Sequence, residues 1–211
     1  VELMIRVAAG ERLPVAQEDV TIDGWAVESR IYAEDPARGF LPSTGRLTTY
    51  RPPAQGMDGR AAVRIDSGVE EGGEVSRHYD PLIAKLVTHA PTRREAIAAQ
   101  GRALDAFAIE GIGHNVPFLA ALMAHPRWED GRLSTAFVAE EFPDGFAERA
   151  PDGDLARRMA AVAAWIDHLL NKRKRGISGQ LQPPAAVRFD RERVVLLGAI
   201  RHDLTILDGE G

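Results

Sequence analysis

Glu28, Arg30, Tyr32 and Glu34 alternate along the stretch "AVESRIYAEDP", residues 26–36. Side chains on a strand alternate with period two, so these four share one face. Trp25, Val27, Ser29, Ile31 and Ala33 share the other, an ordinary core face. The polar face sets a guanidinium between two carboxylates with a phenol beside it. Such a set has two chemical meanings. One is a solvated ion pair worth roughly 0.2–1 kcal/mol. The other is one wall of a site, where a guanidinium keeps its charge and offers a rigid fork of donors to an anion.

Other reactive groups are sparse. Six histidines (His78, His89, His114, His125, His168, His202) show no close pairing at metal-ligand spacing, so no metal site is expected. Neither a GxxxxGK nor a GxGxxG phosphate loop occurs, and no Ser-His-Asp set can be picked out. There is no cysteine, hence no disulfide framework and no thiolate chemistry. Lys85 sits inside an apolar run. It must snorkel to the strand's edge or pair with an acid, and Asp80 is a candidate partner.

The chain has 211 residues, enough for one or two domains with a sizeable core. It is 45% apolar and 27% charged, as a soluble globular protein is. The net charge of −5 argues against a nucleic-acid binder. No apolar run approaches the roughly 20 residues of a membrane span, and no signal peptide is seen. Of 26 basic residues only Lys85, Lys172 and Lys174 are lysine, leaving 23 arginines. A lone arginine therefore says little by itself.

The elements that must position these residues read as mixed. A helix over residues 1–9 has Gly10 as its stop. Strands are expected at 46–51 and 62–66, with a Pro/Gly loop between them. Leu82–His89 is apolar on both faces, which predicts a buried strand. Thr92 and Glu95 form a capping box for a helix with Ile97, Gly101, Leu104, Phe107 and Ala108 on one stripe, ended by Gly111. Asn115 caps a second helix, His125-Pro126 stops it, and a short third follows Ser134-Thr135. Residues 143–153 read as a linker. Asp154 then caps a long helix whose stripe is Leu155, Met159, Val162, Ile166 and Leu169. It ends in Lys172–Arg175, cations placed where the helix dipole favours them, and Gly176 stops it. Short strands are expected near Val187–Phe189, Val194–Leu197 and Leu204–Leu207. Both ends read as cut.

Three motifs occur in order: "AVESRIYAEDPARGFLPSTGRL", "HYDPLIAKL" and "TRREAIAAQGRALDAFAIEGIGHNVPFL". Together with the opening "VELMIRVAAGERLP" they resemble the biotin carboxylase C-terminal domain over residues 1–142. His78 stands where that family often has a second tyrosine, and His114 where it often has lysine or threonine. "FPDGFAER", the long helix ending "KRKRGISGQL" and the "RVVLL" strand resemble the alpha subunits of propionyl-CoA carboxylases. In those, a β-barrel wraps a long helix and docks on the carboxyltransferase beta subunit.

The resemblance implies an α+β fold. It places the biotin carboxylase C-terminal domain, an antiparallel sheet with helices, at 1–142. A linker follows at 143–153, and the first part of an incomplete β-barrel domain at 154–211. It implies ATP-dependent carboxylation of biotin with bicarbonate, by the alpha subunit of an acyl-CoA carboxylase. In this family the arginine of the "VE-x-R-I" strand lines the biotin site, which makes Arg30 the biotin-binding and catalytic residue. It holds the charge that develops on the ureido oxygen, with Glu28 and Glu34 orienting it. Asp80 is expected to tie the domain to a neighbour, and Thr135 to stand near the nucleotide. ATP and Mg²⁺ would be bound mainly by an ATP-grasp domain before Val1, and the biotinyl-lysine would lie after Gly211, on a carrier domain. The expected partners are that carrier and the carboxyltransferase beta subunit; the 211 residues alone should be inactive. Rival readings are a 3-methylcrotonyl-CoA or other acyl-CoA carboxylase alpha subunit, and a non-enzymatic module that only positions the carrier. The arginine excess suggests a high-GC bacterial gene and a cytoplasmic enzyme, or a matrix enzyme if mitochondrial.

Overall fold

The computed structural model describes residues 1–147, 151–175 and 191–207. It divides into two compact units, Val1–Glu148 and Arg149–Gly211. In the first the elements run α1 (Glu2–Ala8), β1 (Trp25–Tyr32), β2 (Glu34–Asp35), β3 (Leu41–Pro42), β4 (Gly45–Arg46), β5 (Thr49–Arg51), β6 (Gly56–Asp58), β7 (Ala61–Ser67), β8 (Glu74–Val75) and β9 (Leu82–Ala90). Then follow α2 (Arg93–Asp105), β10 (Ala108–Glu110), α3 (Val116–Met123), α4 (Pro126–Glu129) and α5 (Phe137–Glu141). The second holds α6 (Gly153–Arg175), β11 (Glu192–Leu197) and β12 (Ile200–Thr205).

A four-stranded antiparallel sheet, β1-β9-β7-β6, organises the first unit. One face packs on α2. Ile31, Leu47, Ile83, Leu86 and Leu104 are fully buried in the core of this unit. The other face is open. Val27, Ser29, Ile31 and Ala33 are buried as the alternation predicts, whereas Trp25, at the strand's start, is 53% exposed. β9 is central but covered on one face only: Lys85 and Val87 are half-buried and His89 is exposed.

The α2 start follows its capping signal. Glu95 N–H donates to Thr92 Oγ1 at 3.2 Å, and that hydroxyl donates to Glu95 Oε2 at 2.9 Å. Its buried face holds Ala96, Ile97, Ala99, Gln100, Ala103 and Leu104. Gln100 and Thr88 are both fully buried polar residues. Gln100 Nε2 donates to Leu86 O at 3.0 Å, and Thr88 Oγ1 lies 2.8 Å from Gln100 Oε1 and 2.9 Å from Ala96 O. Each buried polar atom thus has a partner, and the helix is keyed to β9.

Several boundaries differ from expectation. α2 stops at Asp105, because Ala108–Glu110 pairs with β5 as a strand. Gly111 serves the turn that follows. Its φ is +100°, and a Cβ there would come within 2.2 Å of Arg46 O, so only glycine fits. The expected strand at 46–51 is split between β4 and β5. Gly56–Asp58 joins the sheet as β6 rather than remaining loop. Pro126 ends α3 and also opens α4, with His125 Nδ1 accepting the Arg127 N–H at 3.2 Å.

α6 begins at Gly153, so Asp154 lies inside its first turn, paired with Arg157 and Arg158, rather than capping it. Ala156, Ala160 and Ala164 are the buried positions. The β11–β12 hairpin packs on α6 in this unit. The expected stripe from Leu155 to Leu169 stands exposed among the described residues. The hairpin approaches the small-residue face, where a backbone can come closest. The expected strand at Val187–Phe189, the stop at Gly176 and "SGQL" lie outside the described residues, so the barrel is not seen.

α5 is held by an ionic cluster. Arg127 Nη1 lies 2.8 Å from Glu140 and 2.5 Å from Glu141, and its guanidinium sits over the Phe137 ring. His125 Nδ1 is an acceptor, so Nε2 carries the proton that faces Glu141 Oε2 at 3.0 Å. Arg127 lowers the Glu141 carboxyl below its ordinary value, chiefly by hydrogen bonding. A depressed carboxyl contributes stability above its unfolded value and loses it as pH falls through the folded one. The stability gap between the protein and Glu141→Gln should therefore close as pH drops below about 4. Thermal midpoints across that range check this; a gap that widens in acid contradicts it.

Candidate functional site

β1 is an edge strand, and its open face carries the candidate residues Glu28, Arg30 and Tyr32. Arg30 Nε donates to Glu28 Oε1 at 3.1 Å. Arg30 remains 58% exposed, and Glu28 45%. The bond to Glu28 raises the guanidinium's pKa above its already high value, and Tyr32 adds to this. Arg30 is thus a permanent cation, oriented through Nε, and that bond leaves the two Nη groups for another acceptor. An exposed cation held at one edge by a carboxylate, with Nη donors that this carboxylate does not use, fits a developing anion such as a ureido oxygen.

The register adds a residue that sequence reasoning placed elsewhere. Lys85 on β9 stands directly opposite Arg30, and on its other side opposite Asp66 of β7. Asp66 is paired with Arg64 at 3.1 Å. Among the described residues no ion pair joins Lys85 to a carboxylate. The expected partner, Asp80, is turned to its own backbone, where Oδ1 accepts the Leu82 N–H at 3.2 Å. Two cations therefore neighbour each other on one sheet face, with Glu28 bonded to Arg30 and Asp66 across from Lys85.

The "AEDP…FLPS" segment folds back beneath the end of β1. Glu34 lies on β2, beyond a register shift between Ile31 and Tyr32, and its strand pairs with β3. No hydrogen bond or ion pair among the described residues joins Glu34 to Arg30. Ser43 N–H donates to Ala33 O at 2.8 Å, and Ser43 Oγ accepts the Gly113 N–H at 2.8 Å. Phe40 takes φ +62°, rare for a bulky residue, and is held by its ring against Phe118 at 4.9 Å. Thr135 is exposed in the turn before α5, and no hydrogen bond or ion pair links it to Arg30. Among the described residues no cluster of three or more His, Asp or Glu could hold a metal.

Sequence reasoning missed Asn115. It stands at the N-cap of α3, yet its side chain makes no capping bond. It turns to β1 instead. Oδ1 accepts the Tyr32 N–H at 2.9 Å and Nδ2 donates to Arg30 O at 3.1 Å. The following proline at the second helical position, Pro117, is the one signal that could have suggested this, because it removes a donor that a cap would serve.

The biotin carboxylase C-terminal domain model matches residues 28–140. The chain belongs to that family. The propionyl-CoA carboxylase alpha chain of Ruegeria pomeroyi is 54% identical over 222 aligned residues, covering 98% of this chain. A methylcrotonoyl-CoA carboxylase subunit alpha from Oryza sativa is 48% identical over 138, covering 65%. The chain spans about a third of the length of the first relative (32%) and 18% of the second. Among solved structures, the biotin carboxylase subunit of a pyruvate carboxylase is 38% identical with a TM-score of 0.61, over 69% of this chain and 31% of that one. The shared domain is therefore the α+β biotin carboxylase C-terminal fold, and Arg30 lies within the matched residues.

Proposed function

We propose that this chain is part of the alpha subunit of a biotin-dependent acyl-CoA carboxylase, with propionyl-CoA as the acyl substrate of the whole enzyme. One observation carries the reading: the Ruegeria propionyl-CoA carboxylase alpha chain matches 98% of the chain, including the second unit. The rice methylcrotonoyl-CoA relative supports the alternative acyl substrate, over 65% of the chain.

On this reading the full-length protein carboxylates biotin with bicarbonate and ATP, and residues outside these 211 bind ATP and Mg²⁺. Biotin, on its carrier domain, supplies the ureido nitrogen that accepts the carboxyl group. Arg30 binds the ureido oxygen and holds the negative charge that develops there. Glu28 fixes the guanidinium through Nε, and Glu34 adds negative field past the end of the strand. Asp80 shapes the turn that meets β1 and faces the neighbouring domain, and Thr135 stands toward the nucleotide. Residues 1–142 form the carboxylase domain and 143–153 a linker. Residues 154–211 begin a barrel domain that docks on the carboxyltransferase beta subunit. The enzyme works in the bacterial cytoplasm, or in the matrix if mitochondrial.

The test uses the full-length protein with its beta subunit, labelled bicarbonate and ATP. Propionyl-CoA should be carboxylated in preference to 3-methylcrotonyl-CoA and acetyl-CoA. Preference for 3-methylcrotonyl-CoA would replace the acyl assignment and leave biotin carboxylation standing. Absence of any biotin-dependent ADP release would remove the whole reading. The isolated 211 residues should show no carboxylation.

A further inference from the structure

We infer that Asn115 is a positioning residue for Arg30, acting as a one-residue strand on the outer edge of β1; this rests on the reading of Arg30 above. β1 has β9 on one side only. In an antiparallel strand alternate residues direct both backbone groups to the same side. Arg30 O, Tyr32 N–H and Tyr32 O point away from β9, toward the unpaired edge. Asn115 meets all three. Its planar amide mimics a peptide: Oδ1 accepts from Tyr32 N–H at 2.9 Å and Nδ2 donates to Arg30 O at 3.1 Å. Its own backbone N–H donates to Tyr32 O at 3.2 Å.

The place of this rung matters. The β1–β9 register shifts between Ile31 and Tyr32, one residue beyond Arg30. At such a shift the backbone bends, and the partner strand no longer dictates where the side chain aims. Asn115 braces the strand at that point from the other side. It is 6% exposed, so its bonds form away from water and leave their partners unsatisfied if removed. The residue also gives up the role its position offers. An N-cap asparagine ordinarily accepts from the second or third helical N–H, and here it does not. The loop before it is held close, since Gly113 lies against Asp35 and Ser43 with a Cβ allowance of only 3.3–3.4 Å. Asn115 therefore reaches β1 from a fixed base.

A charge-stabilising donor acts only when it is already in place, so loosening the strand should lower kcat rather than weaken ATP binding. The experiment is done in the full-length protein prepared with its carrier lysine unbiotinylated, with free biotin as the probe. ADP release with bicarbonate is followed with and without biotin, for Asn115→Ala, Asn115→Asp, Arg30→Ala and the double variant Arg30→Ala/Asn115→Ala. Asn115→Asp keeps the acceptor for Tyr32 N–H but sets an oxygen against Arg30 O, and it carries the test if the alanine variant does not fold. Both single Asn115 variants should lose about ten- to a hundredfold in biotin-dependent kcat, with the KM for ATP and biotin-independent ADP release unchanged. The double variant should be no worse than Arg30→Ala, because Asn115 acts through that residue. Equal loss in both ADP-release reactions, additive loss in the double variant, or full activity of Asn115→Asp overturns the inference. If Arg30→Ala itself is fully active, the reading of the site fails first, and the inference falls with it. If Arg30→Ala is impaired while the Asn115 variants are not, the inference alone fails.

Discussion

Arg30→Ala in the full-length protein should lower biotin-dependent turnover about a hundredfold or more, with the fold and nucleotide binding intact. The size of the effect separates the two meanings of the β1 face. A guanidinium fixed where negative charge develops contributes about 10²–10³ in rate. An exposed pair with Glu28 contributes little to stability and nothing to turnover. The structure supplies what the larger effect needs: a permanent cation, a carboxylate that sets its direction, and Nη donors that this carboxylate does not use. Arg30→Lys should recover only part of the loss, since an ammonium keeps the charge without the planar fork. Burst and steady-state measurements of carboxybiotin check both.

Leu104→Ala destabilises the first unit by about 2–5 kcal/mol. Leu104 is 1% exposed, on the face of α2 that covers the sheet. Its neighbours are locked. Gln100, one turn earlier, is tied to Leu86 O and Thr88. A helix held at that point cannot slide to fill the space a leucine leaves, so the upper part of the range is expected. By contrast, breaking the Arg102–Asp58 pair on the same helix should cost about 0–1 kcal/mol, because both partners are more than half exposed. Urea unfolding with a constant m-value measures the two. A Leu104→Ala shift no larger than that of Arg102→Ala would contradict the account of the core.

The legible parts of this chain were local. Alternation over β1 and the Thr92–Glu95 cap depend on residues within a few positions of each other, and the structure shows both. What escaped the sequence depends on pairing across long separations. Asn115 reads as a helix cap until the fold brings it to Arg30, 85 residues earlier. Lys85 reads as a partner of Asp80 until the register sets it between Arg30 and Asp66. Local signals also misled where two signs compete. The α2 stripe continues to Ala108, yet pairing with β5 ends the helix sooner. The large apolar stripe of α6 outweighs its alanines in any hydrophobic pattern, yet the hairpin packs on the helix with Ala156, Ala160 and Ala164 as the buried positions. Of the candidate site, Glu28 and Arg30 are joined as alternation suggests. Glu34, Asp80 and Thr135 are not hydrogen-bonded or ion-paired to them.

The central claim is that Arg30 stabilises the charge that develops on biotin rather than the fold or the nucleotide. The most direct measurement is carboxybiotin formed per ADP released, in the full-length protein and in Arg30→Ala, both with the carrier lysine unbiotinylated, with bicarbonate present and free biotin added or withheld. The account predicts that ADP release without biotin persists in the variant while carboxybiotin per ADP falls steeply. Unchanged carboxybiotin per ADP at unchanged turnover, or loss of both ADP-release reactions together, would contradict it and return Arg30 to an ion pair on a strand face.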